Sequence, residues 1–166
     1  QFFAKVTRAA LSMGNLRDGG FVVIGIDDKN PASLGPGLSD EQFASWSEYD
    51  HVARGLADYA DPPLHFEMAS YTLSSGARVA LLKVSEFSDM PHLCAKAYEP
   101  DLRKGALYVR TRKLPETAEV ASSVEMRDVL DLATEKALRS YVETAQRAGV
   151  RLAAEPVIDE AEVSAR

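Results

Sequence analysis

The sequence is poor in cysteine and histidine and has no long apolar run, and each shortage excludes a class of protein. The single cysteine, Cys94, cannot form an internal disulfide, which excludes a disulfide-rich secreted scaffold. The three histidines fall in different predicted elements, without the short spacing of a zinc site. No apolar stretch approaches the roughly 18 residues of a membrane-spanning helix, and no signal peptide is visible. We therefore expect a cytoplasmic protein that does not enter a membrane.

The composition is that of one ordinary globular domain. Of 166 residues, 46% are hydrophobic and 27% are charged, close to the averages for globular proteins. Helical and strand patterns are interspersed along the chain, which predicts an α/β (α+β) fold with helices packed on a mixed β-sheet. We expect a single compact domain over residues 1–149, followed by a C-terminal tail or linker over residues 150–166.

Apolar spacing predicts three helices. The first covers residues 2–13 and ends at Gly14, and the second begins with a capping box of Ser39 and Gln42 and is stopped after Ala60 by residues 61–63. The third runs over about residues 124–148, and its predicted apolar face consists of Met126, Leu130, Ala133, Ala137, Leu138, Tyr141 and Ala145.

Four segments have strand patterns. Residues 21–26 form a continuous apolar run, which is typical of a strand covered on both faces. Residues 64–69 and 78–84 flank a Ser-Ser-Gly turn and predict an antiparallel hairpin. Residues 106–112 are the last strand candidate. The Gly-rich segment 14–20 lacks the lysine and hydroxyl residue of a nucleotide P-loop, so we expect a tight turn in which Gly19 and Gly20 adopt unusual backbone angles.

The charge of the chain is unevenly distributed. The net charge is −6, but residues 101–115 carry five basic groups and one acidic group. The rest of the chain is acidic throughout, which argues against attraction of the whole molecule to a polyanion. This local reversal is either a solvated loop and edge strand or a phosphate-binding surface.

Strand alternation over this basic segment predicts a nucleic-acid interface. It puts Tyr108, Arg110 and Arg112 on one face, where the ring can stack on a base while the guanidinium groups bind phosphates. The same cations could instead pair with carboxylates of a neighbouring strand, and the residues leave these two interpretations open. The candidate nucleic-acid-binding residues are Arg103, Lys104, Tyr108, Arg110, Arg112 and Lys113.

Asp27 and Asp28 follow the apolar strand 21–26. Carboxylates in this position can bind a hard cation such as Mg²⁺ or Mn²⁺. Because the two side chains point to opposite faces of the strand, a single ion can bind only one of them. The alternative is that either residue caps the turn before Pro31.

Two motifs resemble the Schlafen-type AlbA domain family. Residues 15–28, Asn-Leu-Arg-Asp-Gly-Gly-Phe-Val-Val-Ile-Gly-Ile-Asp-Asp, resemble its Asn-Thr-x-Gly-Gly-x-x-x-Ile-Gly-Val-Asp-Asp segment, and residues 105–111 resemble its Gly-x-x-Tyr-x-Arg strand. The resemblance covers about residues 8–132 and implies a nucleic-acid-binding domain, often fused to further domains in bacterial regulatory and defence proteins. In Schlafen ribonucleases a Glu-x4-Glu-Phe-Lys segment and the second Asp of the pair bind metal. That Asp corresponds to Asp28, but the given sequence contains no such upstream segment.

The leading hypothesis is therefore a DNA- or RNA-binding domain that needs no cofactor, and the sequence leaves open whether the chain is also an enzyme. One alternative is a metal-dependent endoribonuclease that uses Asp28, with Asp27 beside it and Mg²⁺ or Mn²⁺ as cofactor. Another is a protein-interaction or regulatory module, which the acidic total charge and the acidic last helix favour. Nucleic acid, further domains of a longer parent chain and a second copy of the chain are the expected partners.

Overall fold

The elements of the fold are known from a computed structural model that describes residues 2–27, 30, 35–111 and 116–150. Helices and strands are interspersed, as predicted. In chain order they are α1 (Phe2–Gly14), β1 (Gly20–Ile24), α2 (Asp40–Ser47), α3 (Tyr49–Ala57), β2 (Ala60–Asp61), β3 (Phe66–Thr72), β4 (Arg78–Val84), β5 (Leu93–Cys94), β6 (Tyr108–Arg110), β7 (Thr117–Glu119) and α4 (Ser123–Arg147).

The largest sheet has the strand order β1–β4–β3. The predicted hairpin is confirmed: β3 and β4 are antiparallel, and Leu82 of β4 lies between Val22 of β1 and Met68 of β3. Helix α1 packs against β1, β4 and the strands β6 and β7, while α2 packs against β3 and β4. The α+β class is confirmed, but the described strands form three antiparallel sheets rather than the one mixed sheet that was predicted.

Strand β1 is covered on one face only. Val22 and Ile24 are buried in the core, but 57% of Phe21 and 48% of Val23 remain exposed. The prediction that both faces are covered is wrong. A continuous apolar run shows that both faces of the strand are apolar, but it does not show that both are covered. Helix α1 covers only the face that carries Val22 and Ile24.

The predicted second helix is divided in two. Its start is confirmed, because Ser39 and Gln42 form both hydrogen bonds of the capping box at the N-terminus of α2. Glu48 then adopts an extended conformation, with φ −91° and ψ 104°, which ends α2 and lets α3 start in a new direction. The change of direction allows Trp46 of α2 and Val52 of α3 both to be buried. Ala60, predicted as the last residue of the helix, instead forms β2 with Asp61 and pairs with β5.

Helix α4 buries a different face from the one predicted. Ser122 caps its N-terminus, and Gly149 follows its C-terminus with φ +76°, as expected. The buried residues near its start are Val129 and Leu132, which pack with Phe87 and Val109 in a small second core. The predicted face is largely exposed, and its members Met126, Leu130, Leu138 and Tyr141 are 40–67% accessible. No helix within the described ranges has the length and apolar character needed to cross a membrane.

The turn between α1 and β1 requires glycine at one position. Gly19 has φ +69°, and a Cβ atom there would lie 2.1 Å from the carbonyl oxygen of Val84. The expectation for Gly19 is confirmed, whereas the second residue with positive φ in this turn is Asp18, at 65°, rather than Gly20.

Asn15, directly after α1, joins three distant parts of the fold. The residue is 5% exposed, and its Nδ2 donates to the carbonyl oxygens of His92 at 2.9 Å and Tyr108 at 3.0 Å. Its Oδ1 accepts from the N–H of His92 at 2.8 Å. One side chain thus satisfies three buried backbone groups, two on His92 and one on Tyr108 of β6. Strand β6, which begins with Tyr108, is held against α1 in this way.

We predict that Asn15→Ala destabilises the fold by about 3 kcal/mol, because it leaves three buried backbone groups without partners. Urea unfolding followed by circular dichroism measures the change. Gln146→Ala removes the same kind of amide from an exposed position of α4 and should change stability by less than about 0.5 kcal/mol. Equal stability of the two variants would contradict the role assigned to Asn15.

Candidate nucleic-acid interface

The basic segment forms the first strand of a short hairpin. Strand β6 pairs with β7 so that Tyr108 lies opposite Glu119 and Arg110 opposite Thr117. The strand has three residues rather than the seven predicted, although the N–H of Thr111 still donates to the carbonyl oxygen of Glu116 at 3.1 Å. Arg112 and Lys113 belong to the sequence between β6 and β7 and lie outside the described residues.

Arg103 is exposed, but a carboxylate lies beside it. Its side chain is 67% accessible, and its Nε donates to Oε2 of Glu119 at 3.0 Å, with a second bond from Nη2 to Oε1. This hydrogen bonding raises the pKa of Arg103 and lowers the pKa of Glu119. The alternative left open by the sequence, pairing with a carboxylate of a neighbouring strand, is therefore what Arg103 does.

Tyr108 is not available to stack on a base. Only 3% of the residue is exposed, and its hydroxyl oxygen accepts a hydrogen bond from the N–H of Arg103 at 2.8 Å. The guanidinium carbon of Arg8 lies 5.2 Å from the ring centre. The prediction of a base-stacking platform at Tyr108 is corrected, because α1 packs against β6 on the side where an open strand face was expected.

Arg110 lines a different part of the surface from Arg103. It is half-buried at a cavity of about 350 Å³, which is also lined by Arg17 and by Glu125, Asp128 and Asp131 of α4. Its Nη1 lies 3.5 Å from Oγ1 of Thr117. Carboxylates of α4 therefore share this cavity with the two guanidinium groups, and Arg110 does not stand on an open cationic face.

Lys104 is the candidate whose surroundings agree best with the expectation. It is exposed at the turn that precedes β6, where Gly105 has φ +78°. None of the salt bridges between described residues includes Lys104. The structure thus brings Arg103 and Lys104 together at the surface, whereas Tyr108 is buried in contact with Arg103 and Arg110 lines a different cavity.

The candidate metal ligands are only partly described. Asp27 is exposed after β1, and Asp28 lies outside the described residues. Among the residues that the structure describes, no three His, Cys, Asp or Glu side chains are grouped closely enough to hold a metal ion. The assignment of Asp27 and Asp28 to a metal site stays a prediction.

Sequence reasoning missed His92, which lies behind the hairpin. The residue is 1% exposed, and its Nδ1 lies 2.7 Å from the carbonyl oxygen of Pro62, so Nδ1 carries the proton and donates it. Its Nε2 is buried without a hydrogen-bond partner in the described structure. Burial lowers the pKa of His92 despite the raising effect of the Pro62 carbonyl. No spacing signal marks this residue, because its partners are backbone groups.

Comparison with family models, with curated proteins and with solved structures finds no match for this chain. The similarity to the Schlafen-type AlbA domain stays a prediction that depends on the two motifs in residues 15–28 and 105–111.

The lowered pKa of His92 predicts a specific loss of stability in acid. The unfolded chain, with a histidine pKa near 6.5, binds this proton at a higher pH than the folded chain does. Stability from neutral His92 is therefore complete above about pH 6.5 and falls as the pH drops below it, by up to about 1.4 kcal/mol per pH unit.

Urea unfolding of the wild type at pH 7 and pH 5, together with His92→Gln, measures this contribution. We expect the variant to lose less stability than the wild type between the two pH values, while His51→Gln, at an exposed position of α3, behaves as the wild type. An NMR titration of His92 in the wild type gives the same information if the variant does not fold. A titration midpoint at or above 6.5 would contradict the prediction.

Proposed function

We propose that this chain is a nucleic-acid-binding domain that contacts the phosphate backbone of DNA or RNA through residues 103–119. The observation that carries the proposal is a local surplus of positive charge. Residues 103–119 have five basic and two acidic groups, whereas the whole chain has a net charge of −6. Arg103 and Lys104 expose their charged groups at the start of this segment.

A phosphate group can compete with Glu119 for the guanidinium group of Arg103. The two side chains of this ion pair are 67% and 41% accessible, and ion pairs that exposed contribute little to stability because water and salt screen them. A phosphate group can replace the carboxylate on the Arg103 guanidinium, since both offer two oxygens to its planar donors. Glu119 then remains nearby as an unfavourable charge, so its presence weakens binding without preventing it.

The expected mode of binding is contact with the backbone rather than recognition of bases. Tyr108 is buried, so the base-stacking contribution that the sequence predicted is not part of the proposal. Contacts to phosphates carry no sequence information by themselves. We therefore expect modest affinity, little sequence preference and strong sensitivity to salt.

The first test removes the two exposed cations. We expect Arg103→Ala with Lys104→Ala to weaken binding of a 20-nucleotide single strand about tenfold or more at 50 mM salt. The slope of log K against log salt should become shallower by one to two. Fluorescence anisotropy of labelled DNA and RNA measures both quantities.

A matched control removes two exposed cations elsewhere. Arg54→Ala with Lys96→Ala changes the net charge equally, on α3 and after β5, and should reduce affinity less than twofold. Equal losses for the two double variants would mean that binding follows total charge, and the hairpin would lose its role. Absence of binding by the wild type up to 100 µM at 50 mM salt would overturn the proposal, because typical nonspecific dissociation constants reach only about 100 µM at physiological salt and are smaller at 50 mM.

The second test uses a variant that should bind nucleic acid more tightly than the wild type. Glu119→Gln removes the carboxylate that competes with phosphate for Arg103, so we expect affinity for the same single strands to rise roughly threefold to tenfold. Glu67→Gln, which removes a carboxylate paired with Lys83 on the β1–β4–β3 sheet, is the control and should leave affinity within twofold of wild type. A fall in affinity for Glu119→Gln would show that Glu119 supports the site.

A further inference from the structure

A cavity of about 420 Å³ adjoins the pair of Arg103 and Glu119. It lies among α1, the β6–β7 hairpin and the loop of residues 97–103, and Arg8 and Asp101 contribute to its lining. Pockets that bind small ligands have volumes of roughly 300–1,000 Å³. The cavity is therefore large enough for one unit of a nucleic-acid strand, next to the residues already proposed to bind phosphate.

Two charged side chains that line this cavity each have a buried atom without a hydrogen-bond partner among the described residues. These atoms are Nε of Arg8 and Oδ2 of Asp101. Buried polar atoms are nearly always satisfied, so each exception calls for an explanation. Here one atom belongs to a donor group and the other to an acceptor group, and both groups adjoin the same cavity.

Arg8 lies where it can share a phosphate with Arg103. Its Nη2 donates to the carbonyl oxygen of Thr117 at 3.2 Å, and its guanidinium carbon lies 5.2 Å from the centre of the Tyr108 ring. Hydrogen bonding from Arg103 lowers the pKa of Glu119 against the effect of burial, and the charge of Arg8 lowers it further. Both guanidinium groups therefore act on the position of the Glu119 carboxylate, which is the position that a phosphate would take.

Asp101 needs a different group from the ligand. The loop that carries it is fixed, because the N–H groups of Asp101 and Leu102 both donate to the carbonyl oxygen of Tyr98, at 2.9 and 2.8 Å. Asp101 and Arg103 are two residues apart, which places their Cα atoms at most about 7 Å from each other. A carboxylate repels phosphate and accepts hydrogen bonds, so its counterpart is a donor close to the phosphate that Arg103 binds.

The donor nearest to the phosphates within a nucleic-acid strand is the ribose 2′-hydroxyl. DNA lacks this group, and the hydroxyl is what allows a protein to distinguish RNA from DNA at a given site. Amino groups of bases also donate, but they occur in both polymers and lie further from the phosphate. The carboxylate of Asp101 can rotate about its Cβ–Cγ bond, so its oxygens can turn towards a hydroxyl group in the cavity.

We propose that Asp101 accepts a hydrogen bond from the ribose 2′-hydroxyl of a nucleotide whose phosphate lies between Arg103 and Arg8. The inference rests on the proposed binding of phosphate by residues 103–119, and it specifies RNA as the preferred strand. Asp101 and the exposed Glu99 in the same lining lower the affinity for either polymer, whereas the hydroxyl contact raises it for RNA alone. Contacts with sugar and phosphate read no base, so RNA strands of different sequence should bind alike.

The first experiment compares strands that differ only at the 2′ position. Fluorescence anisotropy with 20-nucleotide oligo(U), oligo(dU) and 2′-fluoro oligo(U) at 50 mM salt measures three dissociation constants for the wild type. We expect oligo(U) to bind about fivefold more tightly than oligo(dU), the effect of one additional hydrogen bond. The 2′-fluoro strand keeps the sugar conformation of RNA but cannot donate, so it should bind like oligo(dU).

The second experiment changes the ratio of the two affinities. Asp101→Ala removes a negative charge, which strengthens binding of both strands, but it should reduce the preference for oligo(U) to less than about twofold. Because Oδ2 of Asp101 has no hydrogen bond to lose, the variant should keep the circular dichroism spectrum of the wild type. Asp89→Ala removes the same charge from an exposed position before β5 and should keep the fivefold preference.

A variant of Arg8 separates the phosphate contact from the sugar contact. Arg8→Met keeps a long side chain against the Tyr108 ring but removes the charge. We therefore expect oligo(U) and oligo(dU) both to bind about threefold to tenfold more weakly, with an unchanged ratio. Lys5→Met removes a cation from an exposed position of the same helix and should weaken either interaction less than twofold.

The outcomes separate this inference from the proposed function. Equal binding of oligo(U) and oligo(dU) by the wild type, or a preference that survives in Asp101→Ala, would overturn the role of Asp101 and leave phosphate binding by Arg103 and Lys104 intact. Binding of the 2′-fluoro strand as tightly as oligo(U) would assign the preference to strand conformation and would also overturn that role. Equal weakening by Arg8→Met and Lys5→Met would remove Arg8 from the site. Absence of binding to every strand would overturn the proposed function, and the inference with it.

Discussion

The hydrogen bonds of the Asn15 side chain are the constraint on which the candidate interface depends. They hold the end of α1, the chain before β5 and the start of β6 in one place. The groups involved are buried, so water cannot replace the bonds. An aspartate would not serve, because the position needs two donors and one acceptor. With β6 held in this way, the Tyr108 ring is buried and its hydroxyl accepts from the N–H of Arg103, which sets where Arg103 meets solvent.

Charge that is concentrated in the sequence is partly dispersed in space. Five cations lie within eleven residues, yet Arg103 pairs with Glu119 and Arg110 shares a cavity with carboxylates of α4. A local count of charges includes neither neighbour, because both come from later parts of the chain. Because the pair of Arg103 and Glu119 is exposed, other anions can still reach Arg103. The carboxylates around Arg110, in contrast, lie on α4 where this helix packs against the domain.

Two apolar surfaces that the sequence pattern predicted to be buried remain exposed in the folded domain. These surfaces are formed by Phe21 and Val23 on β1 and by Leu130, Leu138 and Tyr141 on α4, each of which is 48–67% exposed. A pattern of spacing identifies an element and its candidate faces. It does not show which face packs on the core when more than one face is apolar. In α4 the packed face is the one with Val129 and Leu132, which contact Phe87.

By itself the sequence determined the α+β class, the start of α2 at its capping box, the β3–β4 hairpin and the position of α4, since these depend on neighbours a few residues apart. It did not predict the break at Glu48, the burial of Tyr108 or the partner of Arg103. The burial of Tyr108 and the pairing of Arg103 depend on contacts across 16 to 93 residues of sequence, such as Glu119 with Arg103 and Asn15 with Tyr108. Only the tertiary structure decided them, because burial and pairing are properties of surfaces that exist once distant segments have packed together.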